Sequence, residues 1–80
     1  MKPISIGLLG LGTVGTGVVK IITNHQDKLM HQVGCPVEIK KILVKDLVKE
    51  REIMLPSGML TTSSDEIIHD PEIDVIIEVI

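Results

Sequence analysis

The 80-residue sequence contains no phenylalanine, tyrosine or tryptophan. Proteins that grip RNA or single-stranded DNA stack bases on such rings, so that class of partner loses its usual platform. The core must then be Ile, Leu, Val and Met, a composition common in parallel sheets with helices on their faces. There is one cysteine, Cys35. It cannot form a disulfide within the chain, and a reducing, cytoplasmic setting is the economical expectation. No apolar run approaches the roughly 20 residues of a membrane span, and Met1-Lys2-Pro3 is too short before the first glycines to hold a signal peptide. Positive charge is not in excess: 8 Lys and Arg against 11 Asp and Glu give a net charge of −3. Neither nucleic acid nor an anionic membrane is therefore an expected partner. Repeats and low-complexity tracts are also missing. The length allows one domain, of marginal core size.

What the sequence does have is glycine in one place. "GLLGLGTVGTG" carries five, at positions 7, 10, 12, 15 and 17. The stretch enters from "ISIGLLG" (Ile4 to Gly10), an apolar run that reads as a buried strand. It leaves into a helical pattern from Val14, with Val18, Ile21, Ile22, Leu29, Met30 and Val33 near one stripe. That pattern predicts one helix of about twenty residues, stopped by Gly34 and Pro36. "VEIKKILVKD" reads as a second strand ending near Val44 or Lys45. Leu47 to Gly58 is charged and then turn-like, and is expected to be a loop. "MLTT" suggests a short third strand. In "SSDEIIHDP", Ser63 and Glu66 have the spacing of a capping box, with Asp65 and Glu66 suited to the positive end of a helix dipole. "IDVIIEVI" (Ile73 to Ile80) is a fourth apolar run, expected beside the first strand. The order β-α-β-(β)-α-β predicts an α/β fold, a Rossmann-type parallel sheet with flanking helices.

Gly10-Leu11-Gly12-Thr13-Val14-Gly15 is G-x-G-x-x-G, here between a strand and a helix, the context that makes it a dinucleotide fingerprint. Gly10 allows the sharp turn, Gly12 lets a pyrophosphate approach the backbone, and Gly15 brings the helix close to the strand. The helix N-terminus offers unpaired N–H groups to the phosphates. Leu11, Thr13 and Val14 line the loop, and the Thr13 hydroxyl is a further donor. Gly7 and Gly17 are expected to serve close packing. The bland alternative is a glycine-rich turn that binds nothing.

The end of the second strand meets the adenosine ribose in such a fold, where an acidic residue suits NAD and a basic one NADP. Lys45 and Asp46 offer both. Asp46 lies beyond the usual interval of about 20 residues, while Lys45, with Lys49 and Arg51 nearby, favours NADP. NADP is thus the expected cofactor, with NAD as the alternative.

Other residues invite less. His25 and His31 lack the i,i+4 spacing of a metal pair, and His69 suits a helix C-terminus, so no metal site is expected. Cys35 has no motif partner and reads as a structural thiol. Glu78 interrupts a strand expected to be buried on both faces, and a buried carboxylate needs partners. Its role is left open.

On "IGLLGLGTVGTGVV", "VEIKKILVKD" and "LTTSSDEIIHDPEIDVIIEV", the chain resembles the start of bacterial-type homoserine dehydrogenase, essentially end to end. The first segment fits many dehydrogenases. The "KD" after the second strand and "DPEIDVIIEV" are more specific. The resemblance implies NAD(P)-dependent interconversion of L-aspartate 4-semialdehyde and L-homoserine, on the route to threonine, methionine and isoleucine. It implies cofactor contacts from the Gly10–Gly15 loop, particularly Leu11, Thr13 and Val14, and a basic residue at Lys45 near the adenosine phosphate. It also implies an amino-acid substrate and a homo-oligomer for the full-length enzyme. The family continues beyond "IEVI" into the rest of the nucleotide domain and a substrate domain. Residues 1–80 are therefore expected to be a truncated NAD(P)-binding domain, carrying no catalytic residue and inactive alone. A non-catalytic nucleotide-sensing module and another amino-acid-pathway dehydrogenase are the alternatives.

Overall fold

The computed structural model describes residues 2–47, 54–56 and 58–80. Along the chain run β1 (Ile4–Leu9), α1 (Thr13–Asn24), α2 (Gln26–Val33), β2 (Val37–Leu43), β3 (Leu60–Thr61), α3 (Asp65–Ile68) and β4 (Val75–Glu78). The strands form one sheet in the order β3-β2-β1-β4, and every pairing is parallel. β1 is central, so its middle residues are buried. The expected Rossmann-type arrangement is what forms, with β4 beside β1.

Side-chain alternation along β1 sorts the two faces of the sheet. Ile6 and Leu8 point to the face covered by α1. Leu8 packs there with Val19, Ile42 and Val44, and Ile6 with Ile22 and Val37. Gly7 points to the other face. A Cβ there would lie 2.5 Å from Cγ2 of Ile67, which is fully buried. Gly7 thus does serve close packing, as expected. Gly17 does not: a Cβ on it would meet nothing within 4 Å.

The twenty-residue helix is in fact two. His25 (φ −123°, ψ 34°) leaves helical geometry between α1 and α2. A straight helix of that length would span about 30 Å, while a six-residue strand spans roughly 20 Å. The break lets Leu29 fold back onto the Ile6, Ile22 and Val37 cluster. Gln26 ties the corner, its Nε2 donating to the carbonyls of Ile22 (2.7 Å) and Val37 (2.8 Å). Gly34, at φ 90°, ends α2 in the left-handed conformation that glycine favours.

The β1–β2 register shifts by one residue between Ile6 and Gly7: Ile6 pairs with Ile39 but Gly7 with Lys41. Lys40 has no opposite number, and the irregularity lets both adjacent lysines reach acids of the α3 region. Lys40 Nζ lies 2.7 Å from both Asp70 and Glu72, and Lys41 Nζ lies 3.4 Å from Glu66. These pairs raise the Lys40 pKa, through Asp70 first and then Glu72. Asp70 is held below the usual carboxylate range, chiefly by the Lys40 hydrogen bond.

The expected capping box does not form. Ser64 is the N-cap of α3 and makes no side-chain cap bond. The Glu66 carboxylate instead accepts from Thr61 Oγ1 at 2.8 Å and from Lys41. Thr61 is buried, and its hydroxyl claims the carboxylate that a capping box would have used. That bond, with Lys41, also lowers the Glu66 pKa. Glu78 is exposed among the described residues, where β4 pairs with β1 alone. Val75 and Ile76 of β4 are likewise exposed, each at 44%.

Candidate cofactor site

The carboxyl ends of β1, β2, β3 and β4 all point the same way, since the sheet is parallel. A cleft of about 630 Å³ opens there, lined by Gly10, Leu11, Gly12, Leu43, Val44, Lys45, Asp46, Thr62, Val79 and Ile80. This is the crevice where open α/β sheets bind their ligands.

Gly10 stands at φ 112°, a conformation that L residues avoid. Its N–H donates to Leu43 O at 3.1 Å, so the turn begins on the β2 ladder. Gly15 is buried under the loop. A Cβ there would lie 2.5 Å from the Gly10 carbonyl oxygen and 3.2 Å from Val79 Cγ2. Gly12 is the opposite case. It is exposed, and a Cβ on it would meet nothing of the protein within 4 Å. Packing therefore accounts for glycine at Gly15 but not at Gly12, where the bare backbone faces open space.

Gly12 is the N-cap of α1, makes no side-chain cap bond, and is followed by a first turn with no acidic residue. The first N–H groups of a helix have no partner within it. Here they stay available, at the positive end of the dipole. A phosphate fits this cradle: donors, partial positive charge and the absent side chain coincide.

Of the residues expected from the sequence, Gly10, Leu11, Gly12 and Lys45 share the cleft. Thr13 and Val14 open α1 and are exposed, outside the cleft wall, and Gly15 supports the loop from beneath. Lys49 and Arg51 lie outside the described residues. Of the three lysines near the β2 end, Lys40 and Lys41 are committed to carboxylates. Lys45 is exposed in the cleft, with no carboxylate paired to it among the described residues. Thr62, Val79 and Ile80 were not evident from sequence. Their common signal is that each directly follows a strand or lies just beyond one.

The three histidines are exposed, with His69 Nε2 3.7 Å from Asp65. Cys35 is half-buried. Among the described residues no group of His, Cys, Asp and Glu could hold a metal ion, and no helix is long and apolar enough to cross a membrane.

Comparison with known proteins agrees with this geometry. A family model described as "Homoserine dehydrogenase, NAD binding domain" matches residues 10–79. The homoserine dehydrogenase of Bacillus subtilis is 70% identical over all 80 residues, which span 18% of that protein. That of Corynebacterium glutamicum is 40% identical over 96% of the chain and 17% of the relative's length. The crystal structure of S. aureus homoserine dehydrogenase at pH 6.0 superposes with a TM-score of 0.86 at 42% identity, covering 98% of this chain and 20% of that one. The chain thus spans about a fifth or less of the proteins it matches. With the glycine loop, the parallel sheet and the matched residues in agreement, the chain belongs to the homoserine dehydrogenase family, as a stretch of its NAD-binding domain.

Proposed function

We propose that this chain is the cofactor-gripping part of a longer homoserine dehydrogenase, which interconverts L-aspartate 4-semialdehyde and L-homoserine with NADP preferred over NAD. What carries the reading is the exposed Gly12 backbone at the start of α1 sharing one cleft with Lys45. Gly10, Leu11 and Gly12 receive the pyrophosphate, with Thr13 and Val14 at the first turn of α1. Gly15 holds helix to strand so that those N–H groups stay aimed at the cleft. Lys45 supplies a point charge for the 2′-phosphate of the adenosine ribose. The cofactor, when bound, supplies the hydride chemistry, and this segment binds and orients it. The substrate-binding and catalytic groups belong to the part of the protein that these 80 residues do not include. The assembly is a cytoplasmic homo-oligomer.

The test is NADPH-linked reduction of aspartate semialdehyde by the whole protein, with calorimetric titration of NADPH into wild type and Gly12→Val. The valine side chain enters free space in the protein but occupies the phosphate position. The expected result is loss of NADPH binding with native circular dichroism. Unchanged affinity in a folded variant removes the reading.

A further inference from the structure

Two adjacent threonines end β3, and the fold treats them in opposite ways. Thr61 is buried, and its hydroxyl donates to Glu66 and accepts from the Ser63 N–H at 3.1 Å. Its carbonyl accepts from Val44 N at 2.8 Å. Thr62 is exposed on the cleft wall, and its hydroxyl has no protein partner among the described residues. We propose that Thr62 is a second specificity-determining residue, its hydroxyl joining Lys45 on the 2′-phosphate of the adenosine ribose.

The placement follows from the ladder. Leu43 pairs with Thr61, so the next residues, Val44 and Thr62, leave neighbouring strands side by side, about 4.8 Å apart. Lys45 is one residue beyond Val44, past the end of β2, and lines the same cleft as Thr62. A phosphate at the end of β2 therefore meets an ammonium from one strand and a hydroxyl from the next. A hydroxyl donating to an ionised oxygen makes a charge-assisted bond. The Thr61 network supplies the rigidity: with the Thr61 hydroxyl and carbonyl and the Ser63 N–H all engaged, Thr62 is held between them, while its own hydroxyl has no protein partner among the described residues. This inference rests on the NADP reading of Lys45 and deepens it.

The test uses 2′,5′-ADP and 5′-AMP, which differ only in the 2′-phosphate, titrated calorimetrically into the full chain and its Thr62→Val, Thr62→Ser and Lys45→Ala variants. Thermal melts serve as a fold control. Thr62→Val should weaken 2′,5′-ADP about tenfold, the low end for a hydrogen bond to a charged group, and leave 5′-AMP unchanged. Thr62→Ser keeps the donor and should stay within about twofold of wild type. Equal weakening of both nucleotides by Thr62→Val, or none, overturns the proposal even where Lys45→Ala remains selective for 2′,5′-ADP. Wild type binding 2′,5′-ADP no more tightly than 5′-AMP overturns the NADP reading itself, and Thr62's role with it.

Discussion

Gly15 and Gly17 lie in the same helix, within five residues of its start, and glycine is unfavourable in helices. On propensity alone, replacing either with alanine should stabilise the protein, by up to about 1 kcal/mol. The structure predicts that the two substitutions differ in sign. At Gly17 an added Cβ meets nothing within 4 Å, so only the propensity gain acts, and Gly17→Ala should raise stability by about 0.5–1 kcal/mol. At Gly15 the Cβ would lie 2.5 Å from the Gly10 carbonyl oxygen and 3.1 Å from its carbon. Ordinary contact begins near 3.4 Å, an overlap of 0.9 Å (3.4 − 2.5). The obstruction is backbone, held by the Gly10 N–H to Leu43 bond, and it cannot rotate away as a side-chain tip could. Overpacking of this kind costs about 1–3 kcal/mol. Less the propensity gain, Gly15→Ala should lose up to about 2.5 kcal/mol. With no aromatic residue to report by fluorescence, the assay is far-ultraviolet circular dichroism during thermal and urea unfolding. A Gly15→Ala protein as stable as Gly17→Ala would refute the reasoning, since the helix would then stand clear of the loop.

Lys45→Ala should weaken NADPH about tenfold, the low end for a charge-assisted bond at an exposed site, and leave NADH nearly unchanged. Equal loss for both would mean that another group reads the ribose. The acid limb of stability should carry the signature of Asp70 and Glu66, whose pKa values are lowered by Lys40 and by Thr61 with Lys41. A lowered folded pKa contributes stability that is present above the ordinary values of 3.8 and 4.5 and lost as pH falls through the folded ones. Lys40, raised from 10.5, contributes the reverse, lost only as pH rises through its folded value. Urea unfolding from pH 6 down to 2 should therefore show a smaller acid loss in Lys40→Met with Lys41→Met than in wild type. Identical acid limbs would show that these pairs are unformed in solution.

Much of this molecule could be read along the chain. Elements that follow from local pattern came through: the apolar run of β1, the glycine turn into α1, the Gly34 stop, and the parallel order implied by alternating strands and helices. These depend on backbone sterics and burial period, which neighbouring residues carry themselves. Tertiary structure decided the rest. His25 breaks the helix although no proline or glycine marks the place, because a straight helix would overrun a six-residue strand. Glu66 leaves Ser63 for Thr61 and Lys41, because a buried hydroxyl and a lysine from β2 arrive from distant sequence. The two glycines of α1 look alike in sequence, and only packing separates them. Likewise "TT" does not say which threonine is locked inside and which faces the cleft. Local propensity acts within a few residues, while burial and hydrogen-bond partners depend on which strands become neighbours. That pairing brings Lys45 and Thr62 together from 17 positions apart.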